Sequence, residues 1–209
     1  MGTAPLSRAA SKARTRERIL AAARTVFERQ GFHAASLDQV AREAGFTKGA
    51  VYSAFDSKAD LFLTLLAERA GERRAALEAI TGEGHTGEAL VTEISRRFAR
   101  SVGEEHDWWA AVIEFATFAA RDETLRARYA EHHDASREAV ARVIEADARA
   151  SGLTLTEDPR ALATATLALG NGLTLEALLS PSEVPEALYS SAQAALFRGA
   201  IIPAQDPPR

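Results

Sequence analysis

At 209 residues and 22.4 kDa the chain is long enough for one large domain or two small ones around a buried core. It has no cysteine, which excludes a disulfide framework, a thiolate zinc site and a cysteine nucleophile. The net charge of −4 conceals two opposed ends: ten Lys and Arg stand against five Asp and Glu in residues 1–58, and fifteen against twenty-four beyond them. A basic end on an acidic body is the asymmetry expected of a chain with one surface for nucleic acid.

With 45 alanines and no sustained period-2 alternation, the fold class reads as all-α. Arg8, Lys12 and Arg14 open an amphipathic pattern instead of a signal peptide, and Leu6 stands where myristoylation needs Ser or Thr. The apolar run 108–120 is too short to span a bilayer. A cytoplasmic protein without a membrane partner is the expectation.

In chain order, residues 1–11 read as a flexible arm. A helix is predicted over 12–30, with Ile19, Leu20, Ala23, Val26 and Phe27 on one face and Gly31 ending it. Ser36-Leu37-Asp38-Gln39 is a capping box that opens a short helix with the stripe Leu37, Val40, Ala41 and Ala44, closed by Gly45. Thr47 caps a very short third helix reaching about residue 54, and Ser57 a long one reaching residue 80. After a Gly-rich loop at 81–87, helices are predicted over 87–102, 107–120, 123–151, 159–179 and 185–200. Residues 203–209 read as a disordered tail.

The segment QGFHAASLDQVAREAGFTKGAVYSAFDSKADLF (residues 30–62) carries the chemistry. Two short helices meet at a tight Gly45-Phe46 turn, and the second is too short to be stable unless it packs on its neighbours. Its exposed side offers Thr47, Lys48, Gly49 and Tyr52: a hydroxyl, an ammonium, a bare backbone and a phenol, all suited to phosphates and base edges. Val51 is the expected inward anchor, and Lys58 sits in a first helical turn whose free N–H groups favour an anion.

In its Gly-Phe turn after the first helix, Ser36, Val40-Ala41, Ala44-Gly45, Thr47-Lys48-Gly49, Tyr52, Phe55, Ser57-Lys58 and Leu61, the stretch 14–74 resembles the DNA-binding head of TetR-family transcriptional regulators. It departs from the pattern at Ala54, where many members carry an aromatic residue or His. The resemblance implies a homodimer on a palindromic operator in double-stranded DNA, with the third helix in the major groove and release by a small-molecule effector. Ser36, Thr47, Lys48, Gly49, Tyr52 and Lys58 are then the candidate DNA-binding residues.

Beyond the head the residues leave alternatives open. The helix holding Trp108, Trp109, Glu114, Phe115 and Phe118 is apolar nearly all round, so it reads as central, lining either a ligand pocket or a plain aromatic core. Glu114 is either its one wet position or a pocket group that attracts a cationic compound. His132 falls on the inward face Leu125, Tyr129, His132, Ser136, Val140 and Val143, as a satisfied core histidine or a ligand contact. The adjacent His132 and His133 diverge on a helix and make no metal pair. Neither a metal site, a cofactor nor a catalytic constellation is expected.

The helix 159–179 is apolar on two faces, Leu162, Thr166, Leu169 and Leu173 on one and Ala161, Thr164, Ala168, Asn171 and Leu175 on the other. With Leu188, Ala192, Ala195 and Leu196 of the last helix it can form a symmetric dimer interface or pack within the monomer. The reading is a helix-turn-helix domain over 12–74 (motif 36–55) and a helical ligand-binding and dimerisation domain over 75–202, about nine helices in all. The function expected is effector-released repression, against an effector-independent DNA-binding regulator and, more remotely, an all-α small-molecule-binding protein or enzyme.

Overall fold

The computed structural model describes residues 8–203; residues 1–7 of the expected arm and 204–209 of the expected tail lie outside the described residues. Among the described residues the chain forms nine α-helices: α1 Arg8–Ala34, α2 Leu37–Ala44, α3 Lys48–Tyr52, α4 Lys58–Gly82, α5 Gly87–Glu104, α6 His106–Ala119, α7 Glu123–Ala150, α8 Pro159–Leu179 and α9 Glu186–Arg198. The all-α class holds. α1 begins at Arg8, inside the expected arm, and its helical path breaks at Gly31 (φ 73, ψ 174) before a last turn over residues 32–34.

Local sequence accounts for most boundaries. The Ser36 hydroxyl accepts from the Gln39 N–H, while the Gln39 side chain accepts from the Ser36 N–H at 2.8 Å, the reciprocal capping box. Asp158 caps α8 by accepting from the Ala161 N–H at 2.9 Å, with Pro159 in the first turn. One feature was not predicted: β1 Leu153–Leu155 pairs antiparallel with β2 Ile201–Pro203, so Pro203 ends a strand. Three residues are too few to show a period-2 pattern, and the partner lies about fifty positions away.

The chain divides into two compact units that are not consecutive in sequence: one runs to Glu68 and includes Ala110–Tyr129, the other comprises Arg69–Trp109 and the chain from Ala130. The first has Ile19, Val26, Phe27, Val40, Val51, Leu61, Phe62 and Phe115 at or near zero exposure. The second gathers Ala141, Ile144, Leu162, Ala163 and Ala200, with Val140, Leu155 and Phe197 packed against them.

α6 is less central than its composition suggests. It buries Trp108, Trp109, Ala111, Phe115 and Ala119, while Phe118 stays 38% exposed. α8 buries Leu162, Ala163, Gly170 and Thr174 but leaves Ala161, Thr164, Ala168, Asn171, Leu175 and Leu179 exposed, Leu179 at 70%. By length and composition α8 is apolar enough to cross a membrane, a property that the run 108–120 lacks.

Candidate nucleic-acid interface

α1 supplies the floor of this site. Its buried face packs on α2, and α2 on α3. The α2–α3 turn is closed by Gly45 in the left-handed region (φ 69), with the Phe46 N–H donating to the Ala41 carbonyl at 2.9 Å. Two arginines of α1 pin the ends of these helices. Arg18 donates to the Ala44 carbonyl at 3.0 Å and lies 4.6 Å from the Phe46 ring centroid. Arg16 donates to the Ala54 carbonyl at 3.0 Å and lies 4.2 Å from the Phe55 ring. Sequence reasoning counted these charges without assigning them, because each partner lies 26 or more positions away.

α3 is only five residues long and is held by Val51, which is fully buried. Thr47 caps it by accepting from the Ala50 N–H at 3.3 Å. Thr47, Lys48, Gly49 and Tyr52 are all exposed, Tyr52 at 55%. A Cβ at Gly49 would meet nothing nearer than the Thr47 hydroxyl at 4.0 Å, so packing within the chain does not require glycine there. Lys48 forms an exposed ion pair with Asp38, a weak contact that a phosphate can replace. Beside this turn, Ser11, Arg14, Thr15, Arg18 and Phe46 line an open cleft of about 440 Å³. Arg14, read in the sequence only as part of the basic start of the first helix, is not among the DNA-binding candidates there.

Two residues expected at DNA have other work. The half-buried Ser36 hydroxyl accepts from the Gln39 N–H and donates to Gln39 Oε1 at 2.9 Å, which makes it a structural cap. Lys58 Nζ donates to the carbonyls of Phe32 (2.7 Å), His33 (2.9 Å) and Ala35 (2.9 Å), so all three of its N–H donors are used inside the protein. Burial pushes the Lys58 pKa down from its ordinary value, and nearby Glu114 pulls it back up. The ammonium expected to meet DNA is thus engaged by backbone carbonyls of the 32–35 turn in this structure.

The six residues expected to line a ligand site divide between the units. In the first, Glu114 accepts from the His33 N–H at 2.9 Å. Phe115 lies 4.9 Å from Phe32 and 4.7 Å from Phe62 between ring centroids, and Phe118 lies 5.1 Å from Phe32. In the second, the Arg69 and Arg73 guanidinium groups lie 5.6 and 5.1 Å from the Trp108 and Trp109 rings, and Phe98 meets Trp109 edge-on at 5.4 Å. His132 is half-buried, and its pKa falls to about 4, through burial first and then the charges of His133 and Arg73. The second unit also buries Trp109 Nε1, Thr166 Oγ1 and Gln193 Oε1 without a hydrogen-bond partner among the described residues. These are polar groups that a bound molecule can satisfy.

Comparison with known proteins places this arrangement. Residues 19–65 match the model of bacterial regulatory proteins of the tetR family, and residues 87–198 match the C-terminal region of BetI-type transcriptional repressors. The HTH-type transcriptional regulator SrpR of Pseudomonas putida is 49% identical over 61 residues, 29% of this chain and 29% of that protein. The chain thus spans well under two thirds of the length of the curated relatives it first matches. In fold, the fatty acid degradation regulator FadR of Bacillus halodurans superimposes with a TM-score of 0.74 at 16% identity, covering 95% of this chain and 98% of that one. FadR of Bacillus subtilis, solved with stearoyl-CoA, gives 0.73 at 18% identity, covering 88% and 98%. With a helix-turn-helix at its head and one family model spanning more than half of its length, the chain belongs to the TetR family of bacterial regulatory proteins.

Proposed function

We propose that this chain is a transcriptional repressor that acts as a homodimer in the cytoplasm, holds a palindromic operator and releases it when a small molecule binds. The carrying observation is the outward face of α3. Thr47, Lys48, Gly49 and Tyr52 are exposed together, and Gly49 leaves bare backbone where no internal contact requires it. A major groove brings phosphates and base edges to such a face, with Arg14 and the cleft beside Phe46 positioned for a flanking phosphate.

The exposed small and apolar face of α8, with Ala187, Ser191 and Ala195 on the outer side of α9, supports dimerisation through these two helices. A second copy of the chain covers Leu175 and Leu179, which water otherwise wets. The complex of Bacillus subtilis FadR with stearoyl-CoA supports the effector. The unsatisfied buried groups Trp109 Nε1, Thr166 Oγ1 and Gln193 Oε1 suggest that it offers hydrogen bonds as well as apolar surface. Selection of duplexes from a random pool by the purified protein tests the reading. Enrichment of a palindrome, bound with a steep loss of affinity as salt rises, is expected. Binding with no preferred sequence and a shallow salt slope overturns it.

A further inference from the structure

We infer that Glu114 is a positioning residue for operator binding: its carboxylate closes on the turn at residues 31–35 and ties the entry of the helix-turn-helix to α6. This rests on the DNA-binding reading above and adds to it a coupling residue that neither pattern nor comparison supplies.

The turn is held from two sides by opposite charges. On one side, a Cβ placed on Gly31 would lie 2.5 and 2.9 Å from the two Glu114 carboxylate oxygens, so the carboxylate lies against bare backbone. From there it accepts the His33 N–H at 2.9 Å. On the other side, Lys58 takes the carbonyls of Phe32, His33 and Ala35. The anion thus engages the N–H of this turn and the cation its C=O groups, and the two attract each other. Phe32 is wedged beneath, against Phe62, Phe115 and Phe118 at centroid distances of 5.3, 4.9 and 5.1 Å.

The next residue is Ser36, whose cap starts α2, so the orientation of the turn sets the direction in which α2 and α3 leave it. On the other side of the latch, α6 is a continuous helix that carries Trp108 and Trp109 one to two turns before Glu114. A rigid helix cannot shift along or about its axis at one end and leave the other in place. Movement of α6 must therefore carry the 31–35 turn with it or open the latch. A charge-assisted hydrogen bond suits that role better than an apolar contact, because it is directional and fixes the geometry of the turn it holds.

The test needs no effector. The chain has only two tryptophans, both in α6, so intrinsic fluorescence reports on that helix. The probe is the duplex selected by the wild-type protein, and the readouts are affinity and the change in tryptophan emission on binding. In the wild type, emission shifts as the duplex saturates. E114A is expected to bind about tenfold more weakly, the loss of one charge-assisted hydrogen bond, and to lose the emission shift. E114Q, which keeps an oxygen for the His33 N–H, is expected to retain most of both. G31A is expected to behave like E114A, since the new methyl displaces the carboxylate.

Hydrogen exchange of residues 31–36 without DNA is expected to quicken in E114A and G31A and hardly at all in E114Q. If E114A does not fold, the pair E114Q and G31A decides. A wild type whose emission ignores the duplex, or variants with unchanged emission shift and exchange, overturns the latch. Failure to select any duplex overturns the DNA-binding reading instead, and the exchange measurement still tests the latch.

Discussion

Lys58 is where a structural and a DNA-contacting role give opposite results. Substitution by Met keeps an unbranched side chain of similar length and removes the ammonium, together with its cation–π contact 4.5 Å from the Phe32 ring centroid. Two of its three hydrogen bonds, to Phe32 and Ala35, are partly buried, and the one to His33 is exposed. A charge-assisted hydrogen bond is worth about 1.5–3 kcal/mol net, and much less where water can replace the donor. Relief of the ammonium's desolvation offsets part of the loss. The expected destabilisation is about 2–3 kcal/mol, or roughly 4–12 °C in the unfolding transition of a chain of this length. Thermal melting followed by circular dichroism measures it. Operator affinity, titrated at several salt concentrations below that transition, is expected to keep the wild-type slope. An unchanged melt together with a slope smaller by about one would refute the reasoning, because it would make Lys58 a phosphate ligand.

Lys48→Ala and Tyr52→Phe are each expected to weaken operator binding by roughly 1–3 kcal/mol without altering the melt, while Arg149→Ala, exposed at the end of α7, leaves affinity unchanged; fluorescence anisotropy with labelled duplex decides. Leu175→Glu combined with Leu179→Glu puts charge on the exposed face of α8 and is expected to convert a dimer to a monomer in sedimentation velocity, whereas a dimer that survives both removes α8 from the interface. His132 is held neutral, with its pKa lowered to about 4 by burial and by the charges of His133 and Arg73. Its contribution to stability is therefore present above the unfolded value of about 6.5 and is lost as pH falls from there through 4, so His132→Gln should flatten the stability profile over that interval.

The sequence by itself determined what is encoded within a few residues. The capping box at Ser36, the stop at Gly45, the Asp158-Pro159 start and the Thr47-capped, very short third helix anchored by Val51 are legible because their hydrogen bonds and periodicity close within one or two turns. The outward set Thr47, Lys48, Gly49 and Tyr52 is legible for the same reason. Tertiary structure alone decided the rest. Lys58 carries the same charge whether it meets a phosphate or three carbonyls 23–26 positions away, and only the fold brings α1 and α4 together. Glu114, read in sequence as a wet position or a pocket group, finds its partner 81 positions away on a backbone that only glycine leaves open. The aromatic run of α6 divides between two units along its length, Trp108 and Trp109 in one and Phe115 and Phe118 in the other, and composition does not say where along a helix one core gives way to the next. Local bonds draw the helices; what each charged side chain is for depends on which distant backbone the fold lays beside it.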